Sequence, residues 1–201
     1  MLLSRLDTIL GGNTDMIYIT IGVLAFLLFI IYDINSIIMK NKYLNSCFFL
    51  GFLLLAAATI GIVITSWDLI IIDLLRMGIY GTLAAIFLFL LIYTLFFALP
   101  FKNTYVETKS NPEVCQNGIY ALCRHPGVLW FMGFYIFFGL ALKVPLLISA
   151  AVIFSVLNLF YVIFQDQWTF MKIFGNYDTY KLDTPFIIPN LKSIKRCLQT
   201  L

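Results

Sequence analysis

Charge is scarce in this sequence. Its 201 residues hold 13 Lys and Arg, 10 Asp and Glu and a single His, so that 11% of positions are charged where an ordinary soluble domain has roughly 25%. A chain this poor in charge cannot clothe a core in a solvated surface. The net charge of +3, with no block of like charges, gives no electrostatic footprint for nucleic-acid binding. One His and four Cys (Cys47, Cys115, Cys123, Cys197) without a CxxC pair supply too few ligands for a Cys/His metal cluster. Free thiols are expected instead, with Cys47 in lipid. No cleavable leader is expected at the start, because Met1 to Asp15 carries Arg5, Asp7 and Asp15 and lacks a short apolar core or a small-residue cleavage site. No internal repeat or low-complexity tract appears.

What is abundant is apolar surface: 62% of residues are hydrophobic and the mean hydropathy is +0.97. A bilayer core of about 30 Å takes roughly 20 apolar helical residues. Five runs approach that length: Met16 to Met39, Tyr43 to Ser66, Leu69 to Leu99, Gly127 to Leu142 and Val144 to Phe164. The expected fold is therefore an all-α polytopic membrane protein of about five transmembrane helices. Residues 1–99 supply three spans, and residues 100–201 a polar loop, a helical hairpin and a C-terminal cap, all in one membrane domain. Lys143 and Pro145 divide the last two spans, which predicts the tight hairpin. Asp73 and Arg76, three residues apart, are placed to pair at the start of the third span. Asp33, near the end of the first, reads as a surface residue that snorkels or associates with Lys40.

Orientation follows from the basic residues, which collect in cytoplasmic loops. With the N-terminus outside, one side holds Lys40, Lys42, Lys102, Lys109, Arg124, Lys172, Lys181, Lys192, Lys195 and Arg196, and the other Arg5, Arg76 and Lys143. The polar loop Pro100 to Pro126 and the tail from Gln165 then both face the cytoplasm.

Chemistry concentrates in those two segments. The loop ends Gly118-x-Tyr120-x-x-x-Arg124-His125-Pro126, and Pro suits the first turn of the helix that follows. Arg124 and His125 thus stand at a helix N-terminus, a seat for a carboxylate or phosphate, or more plainly a membrane anchor and a cap. The tail opens with Asp166-Gln167, an acid at the end of a span. Trp168, Met171, Phe174 and Tyr177 then recur every three residues, which predicts an amphipathic helix lying in the interface. If the last two spans are antiparallel neighbours, Arg124 and His125 meet Asp166 and Gln167 at one membrane-depth site.

The ordered set of Gly118-x-Tyr120-x-x-x-Arg124-His125-Pro126, an apolar hairpin, Asp166-Gln167, Phe174-Gly175, spaced tyrosines and a closing Pro189 resembles the isoprenylcysteine carboxyl methyltransferase superfamily, with its phospholipid and thiol methyltransferase relatives. The resemblance covers about Gly118 to Pro189. It implies S-adenosylmethionine bound at the cytoplasmic face under a cap of loop and C-terminal helix, and a lipophilic acceptor entering from the bilayer. Tyr120, Arg124, His125 and Pro126 fall in its cofactor-binding motif, Asp166 and Gln167 stand for its acidic pair, and Phe174, Gly175 and Tyr177 for the segment that closes over the cofactor. Arg124 and Asp166 become the candidate catalytic residues. Asp166 is placed to bind a cofactor hydroxyl or amine or to deprotonate the acceptor, and an aromatic face such as Tyr120 or Tyr177 to hold the sulfonium. The sequence departs from the family pattern at Val128, Trp130 and Gln167, and the last span has no Lys or Arg to pair with a prenyl-linked carboxylate. A small or lipidic thiol, amine or carboxylate acceptor is expected, with no metal and no nucleic acid. Two other readings stay open: an NADPH-dependent reductase of the sterol-reductase type, for which Lys102, Lys109 and Arg124 supply a thin basic cluster, and a non-catalytic membrane scaffold.

Overall fold

A computed structural model describes residues 2–98 and 112–200, with side chains from Met16 onward. The segment 99–111, and with it Lys102 and Lys109 of the expected loop, lies outside the described residues. The regular elements among the described residues are all helices, without a strand. The long helices are α1 (Leu2–Ile34), α2 (Cys47–Thr65), α3 (Leu74–Phe96), α5 (Pro126–Leu142) and α6 (Pro145–Phe164). Short helices α4 (Ile119–Leu122), α7 (Phe170–Ile173) and α8 (Tyr177–Asp183) and the terminal α9 (Leu191–Thr200) flank the last two. In lipid every backbone N–H must find its partner within its own segment, so these uninterrupted apolar runs have no alternative to helix.

Four stretches are long and apolar enough to cross a bilayer: Met16–Met39, Tyr43–Thr65, Leu74–Phe96 and Pro145–Ile173. The shorter α5 packs between α3 and α6 and completes a five-helix membrane bundle. The third span is shorter than its hydropathy suggested. Ile70 turns extended, and the helix begins at Leu74 because the Asp73 carboxylate accepts the Arg76 amide at 3.1 Å as an N-cap. The Arg76 guanidinium does not pair with Asp73. It donates to the backbone carbonyls of Ile71 and Ala141, the latter at 3.2 Å near the end of α5. Pro126 and Pro145 each occupy a first turn, and Lys143 closes α5 in a left-handed conformation with its amide on the Gly139 carbonyl at 2.8 Å. The hairpin of α5 and α6 is the result.

Lipid tails are as apolar as leucine, so burial alone does not drive these helices together; close packing does. Glycines open holes that aromatic rings fill: Gly22 faces Phe154, Gly61 faces Tyr18 and Gly133 faces Phe87. Phe26 meets Phe131 edge-on at 6.2 Å and Phe154 at 6.4 Å, and Tyr135 meets Phe154 at 5.7 Å, which knits α1, α5 and α6 into one core. Around that core the helices follow the order α2, α1, α6, α5, α3.

The bundle stays open where this order ends. Although α2 and α3 are consecutive, α3 packs on α5 rather than on α2, and a cleft of about 390 Å³ remains between the three. Leu55, Val63, Leu88 and Phe134 give it apolar walls, and one polar pair stands in it, the Thr59 and Tyr135 hydroxyls at 2.7 Å. Thr59 gives its proton to the Leu55 carbonyl at 2.8 Å, so Tyr135 donates to Thr59.

Filling the hole at Gly133 tests the packing account. Gly133→Val places methyl groups in the Phe87 ring and is expected to cost about 1–3 kcal/mol, seen as a lowered unfolding midpoint in detergent; a midpoint equal to wild type would refute the close approach of α3 and α5.

Candidate functional site

The π-helical turn Gln165–Thr169 sets up the site. It follows α6 without a break and shifts the register, so that Asp166 points inward beneath the start of α5. Such turns recur at functional positions because the extra residue redirects a side chain at small backbone cost. Asp166 is 1% exposed. Its Oδ1 lies 2.9 Å from Arg124 Nε and 3.1 Å from His125 Nε2, and it accepts the Tyr177 hydroxyl at 2.7 Å. Its Oδ2 accepts from an Arg124 terminal nitrogen at 3.3 Å and has Lys181 Nζ at 3.6 Å. The Arg124 Nε contact is an ion pair without hydrogen-bond alignment, which leaves that nitrogen short of a proper acceptor. The hairpin has thus joined groups 41 and 42 residues apart.

Each partner is itself held. Arg124 donates to the Lys181 carbonyl at 3.0 Å and the Thr184 carbonyl at 3.4 Å, and its guanidinium stands 5.5 Å from the Phe186 ring. The backbone amides of Arg124 and His125 donate to the carbonyls of Pro185 and Phe186 at 2.9 and 3.2 Å. The tail therefore anchors the two residues that lead into this helix end. His125 lies parallel to Phe170 at 5.7 Å and edge-on to Phe186 at 5.1 Å. Burial lowers the proton affinity of its imidazole, and the hydrogen bond and charge of Asp166 do not restore it. The ring is neutral, with Nε2–H donated to the carboxylate and Nδ1 left as the basic nitrogen. Tyr177 stays protonated, because burial first and the adjacent Asp166 second raise its pKa. Burial pushes the Cys123 thiol up to about 12, which makes it inert, and all four cysteines are free.

Of the residues singled out in the sequence, Arg124, His125, Asp166 and Tyr177 converge, and Pro126 caps the convergence from α5. Tyr120 lies one step away: its hydroxyl donates to the Thr94 carbonyl at 3.0 Å and its carbonyl accepts from Tyr180 at 2.6 Å. Gln167 faces outward, because the π turn that buries Asp166 rotates the next residue to the exposed side. The expected single interfacial helix from Trp168 to Tyr177 is also absent. Phe174 is extended, α7 ends at Ile173, and a turn reverses the chain so that Tyr177, 1% exposed, packs inward. Phe174 and Gly175 form that turn, with the Gly175 amide on the Pro112 carbonyl at 3.2 Å. Lys181, which the charge pattern places only among the cytoplasmic basic residues, joins the cluster because it stands one helical turn after Tyr177 on the same face of α8.

Asp33 is not a surface residue. It is 4% exposed and faces Tyr161, Gln165 and Thr169 instead of Lys40 or solvent. Gln165 donates to the Tyr161 hydroxyl at 2.8 Å. The π turn thus serves two buried acids, presenting Asp166 to α5 and Gln165 with Thr169 to α1. Among the described residues no group of three His, Cys, Asp or Glu comes together as a metal site.

A separate cavity of about 300 Å³ is lined among the described residues by Tyr93, Phe97, Ala98, Cys115, Asn117, Gly118, Ile119 and Thr200. Gly118 has φ 58°, a conformation that suits glycine, and its amide donates to Thr200 at 2.8 Å. No family model, no curated protein and no solved structure matches this chain.

Two measurements probe the cluster. Asp166→Asn strands a buried guanidinium and is expected to cost about 3–5 kcal/mol of unfolding free energy, while the double variant with Arg124→Ala costs less than the two single changes added. Strict additivity would show that the pair is not coupled. For His125, the unfolded chain takes up a proton below about pH 6.5 that the folded chain refuses, so this residue's contribution to stability is present above that pH and declines as pH falls. The difference in unfolding midpoint between wild type and His125→Gln should shrink from about pH 8 to about pH 5; a pH-independent difference would mean a proton affinity unchanged by folding, and a difference that grows as pH falls would mean a charged imidazole.

Proposed function

We propose that this chain is an S-adenosylmethionine-dependent membrane methyltransferase acting on a lipophilic or small thiol, amine or carboxylate acceptor. The observation that carries the reading is the union of Arg124, His125 and Asp166 with Tyr177 at one end of the bundle, from the two segments on which the family resemblance rests. Two cavities accompany it. One is polar and aromatic beside Gly118, and the other is apolar and opens between α2 and α3. A water-facing cofactor and a bilayer-borne acceptor need such a pair of sites.

The residues present suit the cofactor. Tyr93 and Phe97 offer aromatic faces to a sulfonium or a purine, and Asn117 and Thr200 offer hydrogen bonds to ribose or amino-acid groups. With His125 neutral, Arg124 and Lys181 against Asp166 leave the cluster one positive charge in excess, an attraction for a carboxylate. The bound cofactor supplies an electrophilic methyl group. The protein positions the acceptor in line with it and excludes water, the work that dominates methyl transfer. Asp166, with both oxygens engaged, holds Arg124 and Tyr177 in place rather than taking a proton. The Nδ1 of His125 is the free base of the cluster. In this reading the N-terminus is outside and the site faces the cytoplasm, where S-adenosylmethionine is made.

A second reading has its own observation. The saturation of Asp166 and the outward turn of Gln167 suit a scaffold that keeps the cluster for stability and has no cofactor.

Calorimetry on the detergent-purified protein separates the two. Micromolar S-adenosylmethionine binding is expected, abolished in Arg124→Ala and His125→Ala and weakened roughly tenfold in Asn117→Ala, which leaves the ion cluster untouched. Binding of NADPH in its place would favour the reductase, and binding of neither would leave the scaffold.

A further inference from the structure

The terminal helix α9 has two working faces. Ser193 and Cys197, four residues apart and almost fully buried, seat it against α4, and Arg196 turns the same way to donate to the Ala121 carbonyl at 3.3 Å and to the Thr184 hydroxyl. The other face is apolar and bare: Leu191 is 87% exposed and Leu198 70%, with Ile194 between them. Leu182 and Ile188, in the segment leading to α9, are also exposed. Lys192 and Lys195 border this face and are themselves exposed. A soluble surface does not gather large apolar residues in this way, and a bilayer span does not tolerate the lysines.

Position decides what fits. α9 is docked on α4, and α4 leads through Cys123–His125 directly into the first turn of α5, so α9 sits level with the ends of the membrane helices. At the same end Lys172 lays its amine over the Trp168 ring at 4.3 Å, an arrangement suited to the headgroup layer. We propose that the Leu191, Ile194 and Leu198 face of α9 inserts among the acyl chains at the membrane surface, with Lys192 and Lys195 binding the phosphates of anionic phospholipids. The assignment does not depend on the methyltransferase reading. It gives the lipid surface a hold on the site, because Arg196 grips Thr184, whose carbonyl accepts from Arg124, and Thr200 holds Gly118 at the polar cavity.

Hydrogen–deuterium exchange in nanodiscs tests it with the full chain. Amides of residues 191–200 should exchange roughly thirty-fold more slowly when phosphatidylglycerol is added to phosphatidylcholine, the effect of two lysines near an anionic surface. Raised salt should weaken this protection, and inorganic phosphate in phosphatidylcholine discs should not reproduce it. Lys192→Glu with Lys195→Glu should abolish the lipid dependence, and Leu191→Ser with Leu198→Ser should speed exchange in both lipids, with α6 amides unchanged as the check on folding. Equal exchange in the two lipids, or slowing that survives the double charge reversal, would overturn the proposal.

Discussion

A single buried carboxylate ties the end of this bundle together. Asp166 accepts from or pairs with Arg124 and His125 in the loop before α5 and with Tyr177 and Lys181 on α8, so that three stretches of chain, counting the π turn that carries it, meet at one negative charge. An unpaired carboxylate at that depth would be costly, and an unpaired guanidinium beside it equally so. Their mutual need orders the tail. Once Arg124 is drawn to Asp166, its remaining donors reach the carbonyls of Lys181 and Thr184, and the neighbouring amides take those of Pro185 and Phe186. The cap over α5 is a consequence of satisfying one ion pair.

Within the membrane the governing constraint is shape. Because lipid competes equally for apolar side chains, helix pairs hold where a glycine admits a ring, as at Gly22 with Phe154 and Gly133 with Phe87. No such match joins α2 to α3, and the cleft with its Thr59 and Tyr135 pair is the space left between them. An opening toward lipid on one side and a charged cluster at one end are thus products of the same packing. The π turn at Gln165–Thr169 joins the cluster to α1, since it lets one segment serve the α1 acid Asp33 and the α5 cluster at once.

The chemistry that follows is one of placement. A carboxylate already matched by cations is a poor base and a good brace, and the neutral His125 ring, sandwiched near Phe170 and Phe186, is fixed in orientation and tautomer by it. The cavity at Gly118 offers aromatic faces and hydrogen-bonding groups outside the ion cluster. Support and binding are divided between adjoining residues, with Tyr120 between the two through Thr94 and Tyr180.

Much of this was legible in the residues themselves. The scarcity of charge and the length of the apolar runs determine a membrane bundle, since an apolar run of about 20 residues spans lipid with its backbone satisfied as a helix, and Lys143 with Pro145 determines the hairpin that brings Arg124 and His125 to Asp166. The tertiary structure alone decided the finer directions. Periodicity assigns Trp168, Met171, Phe174 and Tyr177 to one helix face, yet the pull of Asp166 on Tyr177 bends the chain at Phe174 and moves that tyrosine into the core. The residue inserted by the π turn sends Gln167 to the surface, and partners on α6 and its π turn draw Asp33 inward. Those outcomes depend on which charges find each other across tens of residues, a competition that local pattern does not record.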